Sequence, residues 1–400
     1  MRLLYFMMKE KKGIMRKMIK INNRVLMALI SMVIITTLIG GCSTKKTATD
    51  VQQKTFVDMT GKTVNIPAVD KIDRVAVLTS PQVQIMYILG VQDKICAMTA
   101  SQYRYKLFEK FYPRQAQIPA PRAQAADMNV EALLNSNPQF AIGSEMDMDL
   151  VDKTTKIPTV RVATNNNPAD VFKTRKAEVQ MFGEIFGAKE RADKYCQYLD
   201  SVLDILTKKT SVIPNNEKAK VYLGYGADHL TTYGGDTYMQ YQIEAAGCLN
   251  ASQEISSVAG KEGGLSNISL ENLLKWDPDV IVIDTGSPQD MKKDPTWSKL
   301  KAVKNDKVYI LPVGGFIWNR PSSESAALLP LWLGTKSYPA QLKDISMDNE
   351  IKKYWKDILG FSLTDDDVKS ILNPPSTTSG SGTGGGTGGG TGQGTGQGKK

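Results

Sequence analysis

The stretch Gly314-Gly315-Phe316-Ile317-Trp318-Asn319-Arg320-Pro321 gathers the residue types best suited to holding a ligand. A glycine pair lets backbone approach a ligand closely, Trp318 offers a stacking face, and Arg320 offers a forked donor for carboxylate, catecholate or oxyanion groups. The same residues would also make a structural turn, with Trp318 packed between helix and sheet and Arg320 paired to Glu324 at i,i+4. Tyr103, Arg104 and Tyr233 stand in other loop-like stretches and add aromatic and cationic candidates, with Arg122 a further cation. Bond-breaking chemistry finds little support: there is no GxSxG, HExxH or P-loop pattern, and Gly224-x-Gly226 alone is not a nucleotide fingerprint. His229 is the one histidine, and a zinc site would need partners that the spacing does not supply. Cys96, Cys196 and Cys248 show no metal-ligand spacing and read as buried thiols. No metal site, cofactor or enzymatic activity is expected.

These residues must be positioned by an alternating α/β frame. Residues 74–78, 94–98, 139–142, 159–162, 220–223, 280–283 and 308–311 are short apolar runs that read as buried strands. Between them, residues 81–89, 129–134, 168–186, 238–246, 269–275 and 321–333 read as helices, the third predicted to start at Asn167-Pro168 and end at Gly187. Residues 350–359 and 365–372 close the fold. Strand, helix, strand in that order predicts parallel pairing. Residues 55–67 read instead as a β-hairpin turning at Thr60-Gly61. Residues 188–209 carry apolar side chains at threes and fours with a polar opposite face, ending in Lys208-Lys209, which predicts one amphipathic helix of about 33 Å between two α/β halves.

The halves share a repeat. Met128-Asn-Val-Glu131-Ala-Leu-Leu134-Asn-Ser-Asn-Pro138 matches Ile268-Ser-Leu-Glu271-Asn-Leu-Leu274-Lys-Trp-Asp-Pro278, each a short helix ended by proline and followed by a buried strand. In open α/β sheets ligands lie beyond the carboxyl ends of strands, so a cleft is expected at the loops that carry Tyr103, Arg104, Glu145, Tyr233, Asp284 and Arg320.

Charge is distributed unevenly. The chain carries a formal +9, of which residues 1–41 hold +7 and Lys399-Lys400 the rest, so the folded part is near neutral and a nucleic-acid partner is not supported. The basic leader precedes the apolar run 25–38 and Ile39-Gly40-Gly41-Cys42, a signal-peptide pattern. Residues 42–54 are a polar tether, and residues 374–400, rich in Gly and Thr, are expected to lack a packed structure. The expected domains are thus a leader 1–41, tether 42–54, first lobe 55–187, inter-lobe helix 188–209, second lobe 210–373 and tail 374–400.

Together, the opening Thr55-Phe-Val-Asp58…Gly61…Val64-Asn-Ile66-Pro67, the doubled ExLL…Pro unit and Thr232-Tyr233-Gly234-Gly235-Asp236…Glu244-Ala-Ala-Gly247 resemble class III periplasmic-binding-protein-like lipoproteins of the iron-complex, haem and cobalamin type. The resemblance spans residues 55–372. It implies two Rossmann-like lobes joined by a single long helix, a ligand cleft between them, and delivery of cargo to the permease and ATPase of an ABC importer. Cys42 would be the lipidated residue, anchoring a monomer on the outer face of the cell membrane. The implied cargo is a metal chelate, a ferric siderophore foremost, then haem or a corrinoid, with an oxyanion such as molybdate or tungstate as the alternative. A lipid-anchored structural or adhesion role is the reading of another class. Docking through one surface glutamate per lobe points to Glu244 in the second lobe and to Glu131 or Glu145 in the first, where the pattern departs from the family and Gln84 stands on the first helix.

Overall fold

The computed structural model describes residues 53–124, 127–162, 170–257 and 264–375. The leader, Cys42, most of the tether and almost all of the tail lie outside them, as do Asn167 and Pro168. The opening hairpin forms as expected: β1 (Gln53–Val57) pairs antiparallel with β2 (Thr63–Pro67). Asp58 Oδ1 accepts the Thr60 and Lys62 amides, and Gly61 takes φ 86°, a conformation that favours glycine.

Two four-stranded parallel sheets follow. The first has the order β4-β3-β7-β8, built from β3 (Val75–Val77), β4 (Ile95–Met98), β7 (Phe140–Gly143) and β8 (Thr159–Arg161). The second has the order β11-β9-β13-β14, from β9 (Lys220–Gly224), β11 (Leu249–Asn250), β13 (Val280–Ile283) and β14 (Val308–Ile310). Small antiparallel pairs complete the set: β5 (Arg122–Gln124) with β6 (Asp127–Met128), and β10 (Thr231–Tyr233) with β12 (Leu265–Asn267).

The apolar runs are continuous because both faces of each sheet are covered. Val75 and Val77 face the large central core while Ala76 and Leu78 face an outer cluster with Leu133, Met148 and Val151. Likewise Val280 and Val282 face the central core, and Ile281 and Ile283 face Leu273, Trp276 and Trp297. The two-residue period of a strand sorts the side chains into these layers.

Helices supply the covers: α1 (Ser80–Leu89), α2 (Lys106–Phe111), α3 (Val130–Asn135), α4 (Glu145–Thr154), α5 (Val171–Phe186), α6 (Lys189–Thr210), α7 (Tyr238–Ala245), α8 (Leu270–Trp276), α9 (Pro288–Lys293), α10 (Lys301–Lys304), α11 (Ser323–Ser337), α12 (Met347–Tyr354) and α13 (Asp365–Leu372). The predicted inter-lobe helix is α6, shifted by one residue at each end. It buries Ala192, Tyr195, Cys196, Leu199, Val202 and Leu206, and packs against α1, α5, α7 and α11. Gly183 allows the close approach of α5 to α6, since a Cβ there would meet that of Ala192 at 2.7 Å. The start of α5 differs from expectation: Asp170, not Asn167, caps it, accepting the Phe172 and Lys173 amides. Gly187 does end α5, with φ 67°. Helix α11 starts after its cap Ser322 rather than at Pro321. Helix α4 has no counterpart in the sequence reading; only Met148 and Val151 among its apolar side chains are buried, too few to establish a period. Among the described residues no helix is long and apolar enough to cross a membrane.

The internal repeat is structural. Each copy is capped at its start, by Asn129 on Ala132 and by Ser269 on Asn272, and turns through a left-handed residue, Asn137 (φ 46°) or Asp277 (φ 42°). The end of α3 is held by Arg74, which donates to the Ser136 and Asn137 carbonyls, and the end of α8 by Lys220, which donates to the Trp276 carbonyl at 3.3 Å. Arg74 and Lys220 stand at matching places, just before β3 and at the start of β9.

Candidate functional site

The loop after β14 folds on itself. Gly314 N–H donates to Phe316 O at 3.1 Å, Trp318 N–H to Pro312 O at 3.3 Å, and Arg320 N–H to Ile317 O at 3.3 Å. It thus lies beyond the carboxyl end of its sheet, as the strand rule requires. What its glycines approach is protein rather than open cleft: a Cβ at Gly314 would overlap the Glu324 carboxylate, and one at Gly315 would lie 2.5 Å from the Phe108 ring. The expectation that the pair brings backbone to a ligand is corrected accordingly.

Trp318 is 0% exposed and part of the central core. Its ring presents no stacking face to a cleft, so it serves as the packed floor of the loop. Arg320 is half-buried and, among the described residues, makes no ion pair; Glu324 is not its partner, because that carboxylate accepts instead from Trp355 Nε1 at 2.9 Å. Four tyrosines lie near the guanidinium. Tyr233 foremost, then Tyr238, Tyr225 and Tyr105, favour its charged form and raise its pKa further against the opposing effect of burial. Three belong to the second lobe and pack on one another: Tyr225 edge-on to Tyr233 at 5.1 Å and Tyr233 tilted against Tyr238 at 5.2 Å. Tyr233 and Tyr238 both donate to the Asn319 carbonyl, which fixes the turn just before Arg320. The Tyr225 hydroxyl is buried without a hydrogen bond.

Tyr105 comes from the first lobe. Its ring packs on Phe316 with centroids 4.7 Å apart, bridging the two lobes over Arg320, and burial pushes its phenol up to about 12. It escaped the sequence reading by one residue, standing just past Tyr103 and Arg104 in the short turn before α2. Tyr103 itself spends its hydroxyl on the Ile118 carbonyl, and Arg104 is exposed with no ion pair among the described residues. Arg122 is committed to Asp147 at 2.8 Å. In the second lobe, Asp284 just after β13 accepts the Gly226 amide at 3.2 Å; burial raises its pKa to about 6, and nearby Arg320 opposes that rise.

The first lobe contributes the start of α1. Ser80 and Ser101 hydroxyls lie 2.8 Å apart, Thr99 and Ser101 hydroxyls 3.0 Å apart, and Gln82 donates to Glu178. Glu178 pairs with Arg175, whose Nη2 donates to Pro321 O at 2.7 Å. A buried polar chain therefore links the first turn of α1 to the residue after Arg320. The hydroxyls at the helix start and the guanidinium are donors of the kind that hold an anion.

The remaining candidates lie elsewhere. Glu131, Glu145 and Glu244 are all exposed, Glu244 accepting from Gln240 at 2.8 Å. Gln84 is buried and presents nothing to a partner. His229 is buried with φ 56°, its ring edge-on to Trp297 at 5.8 Å, and burial lowers its pKa. Cys96, Cys196 and Cys248 are buried free thiols, as expected.

Residues 75–313 match the family described as periplasmic binding protein. The chain is 24% identical over 325 residues to the molybdate-binding protein MolA of Haemophilus influenzae, covering 75% of this chain and 89% of that one. It is 26% identical over 272 residues to the uncharacterized ABC transporter substrate-binding lipoprotein YvrC of Bacillus subtilis, covering 67% and 81%. The crystal structure of a periplasmic solute binding protein from Veillonella parvula has the same fold, with a TM-score of 0.69 at 24% identity, over 80% of this chain and 97% of that one. With the family match extending over more than half of the sequence, the chain belongs to the periplasmic binding protein family.

Proposed function

We propose that the chain is the cargo-binding subunit of an ABC importer, held at the outer face of the cell membrane through Cys42, and that its cargo is a compact oxyanion bound at Arg320. The observation that carries this reading is a guanidinium with no ion pair among the described residues, near Tyr105, Tyr225, Tyr233 and Tyr238. A desolvated cation with phenols around it suits a small tetrahedral anion, and the Tyr225 hydroxyl, buried without a hydrogen bond, is a donor open to it. The likeness to a molybdate-binding protein supports the same class. With Trp318 and Tyr233 buried, the broad aromatic platform that a large chelate would use is reduced. A ferric siderophore, the cargo first expected, stays as the second reading because Arg104 is an exposed cation on the first-lobe side.

Delivery requires a surface that meets a permease. Glu131 and Glu271 hold matching places in the two copies of the repeat, both exposed in the first turn of their helices. Leu134 (49% exposed) and Leu274 (38% exposed) follow one turn later. A charge beside an apolar side chain, displayed once per lobe, suits a permease with two similar subunits. Glu271 thus joins Glu131 as the docking pair we favour, while Glu244 and Glu145 lie outside the repeat.

Isothermal titration of the protein with molybdate, tungstate, sulfate, ferric catecholate and hydroxamate siderophores, haemin and cobalamin tests the cargo. Saturable heat from an oxyanion supports the first reading and heat from a ferric chelate alone the second. Silence across the panel would sink both.

A further inference from the structure

Glu324 sits in the first turn of α11, 1% exposed, with no cation paired to it among the described residues. Burying an uncompensated carboxylate is costly, and a hydrocarbon or amide of similar size would fill the space without that cost. Its surroundings give a reason for its presence. Trp355 Nε1 donates to Oε1 at 2.9 Å, and the Gly315 amide, the Phe316 amide and the Trp318 indole all lie where they favour the ionised carboxyl. A carboxylate offers two oxygens to such a set of donors; a glutamine offers one.

These donors come from two separate segments of the second lobe. Gly315, Phe316 and Trp318 belong to the loop that ends at Arg320, whereas Trp355 follows α12 and packs on Phe108 of the first lobe, centroids 5.3 Å apart. Phe108 in turn abuts Gly315. Glu324 therefore closes a circuit through loop, carboxylate, Trp355 and Phe108. Trp318 Nε1 and Glu324 Oε2 are nonetheless both buried without a hydrogen bond of ordinary geometry, so the circuit has slack that a small movement of the loop would take up.

We propose that Glu324 is the positioning residue of the cargo site: its buried carboxylate gathers the N–H groups of the 314–318 loop and so sets where the Arg320 guanidinium stands. This rests on the reading of Arg320 as the anion-binding residue. Burial pushes the Glu324 carboxyl up to about 7, against the pull of its donors. On taking up a proton, the carboxyl loses its charge and one oxygen turns from acceptor to donor toward the N–H groups it faces, which weakens its hold on the loop. From the packed elements around it, Arg175 and Glu178 of α5 pair with each other, and burial holds the hydroxyls of Tyr195 on α6 and Tyr354 on α12 protonated. Arg320 on the loop itself stays charged. Of the groups packed against the carboxyl, the change of charge near neutrality belongs to Glu324, while Asp284 beside Arg320 titrates lower, at about 6.

The test is an indole titration by NMR on the protein labelled with 15N-tryptophan, with Trp318 and Trp355 assigned through Trp318→Phe and Trp355→Phe. Both resonances should move together with one midpoint at about 7, while Trp276 and Trp332 do not move with that midpoint. In Glu324→Gln the joint shift should vanish and the Kd for molybdate should rise about tenfold, the loss of one charge-assisted contact, with Glu324→Asp recovering part of both. A joint shift that persists in Glu324→Gln, or a variant that binds molybdate as tightly as the native protein, overturns the proposal. Should Glu324→Gln not fold, the native titration decides: without a joint shift near 7 the carboxylate is not the clamp. A native protein whose indoles titrate together but which binds no anion removes the cargo reading and leaves Glu324 as the group that positions the loop.

Discussion

Arg175 Nη2 donates to the Pro321 carbonyl at 2.7 Å, so the helix before α6 grips the chain one residue beyond Arg320. The same guanidinium pairs with Glu178, and Glu178 accepts from Gln82 on α1. Three buried side chains thereby tie the first-lobe helix start, α5 and the second-lobe cargo loop together.

Removing the arginine alone should be expensive. In Arg175→Met, Glu178 stays buried without its cation and the Pro321 carbonyl loses its donor, a combination worth about 3 kcal/mol of stability. Urea unfolding of variant and native protein checks this. A loss below about 0.5 kcal/mol would mean that the chain is not a structural tie.

Arg320 should behave in the opposite way. It is partly desolvated with no carboxylate in ion-pair contact, so Arg320→Ala should fold at least as well as the native protein while losing about a hundredfold in oxyanion affinity. Arg320→Lys should recover little, because a point charge lacks the forked geometry. Calorimetric titration with molybdate or tungstate, paired with thermal unfolding, separates the two effects. Large destabilisation with unchanged affinity would assign Arg320 to the fold instead.

The repeat makes a claim about partners. Glu131→Ala combined with Glu271→Ala should leave cargo binding and stability unchanged and reduce importer-dependent uptake by tenfold or so, as loss of two charged contacts at a docking surface should. Glu244→Ala is the comparison: its carboxylate is exposed and held by Gln240, and uptake should stay near the native level. A larger effect from Glu244 than from the pair would move the docking surface onto α7.

Much of the fold is legible in the sequence. Buried strands announce themselves as unbroken apolar runs, and α6 as a long amphipathic period, because both are set by local pattern against a covered core. The site was less legible, for a physical reason. Tyr105, Tyr225 and Tyr238 converge on Arg320 from two lobes, and no spacing in the chain encodes that meeting. Trp318 in a glycine-rich loop has the same local sequence whether its ring points outward to a ligand or inward to the core. Gly234 and Gly235 show the converse: a Cβ on either would run into the backbone carbonyl of Ile255 or Gln253, so their presence in the 232–237 motif reflects packing against a neighbouring loop.

Asp284 provides the last prediction, through its proton. Burial raises its pKa from 3.8 to about 6, so the folded protein holds this proton more tightly than the unfolded chain does. The group therefore favours folding most at low pH, and that contribution is lost as pH rises from about 3.8 through about 6; above that range the cost of a desolvated carboxylate is fully present. The shift corresponds to roughly 3 kcal/mol at most, and screening of a partly exposed side chain lowers the expectation to about 2 kcal/mol. Asp284→Asn removes the ionisation, so the variant should gain on the native protein at about pH 8 and lose that advantage at about pH 4. Urea unfolding at the two pH values reads the difference directly. A gap between variant and native protein that does not change with pH would show that Asp284 carries its charge without penalty, with Arg320 close enough to neutralise it, and the cation would then no longer be free for an anionic cargo.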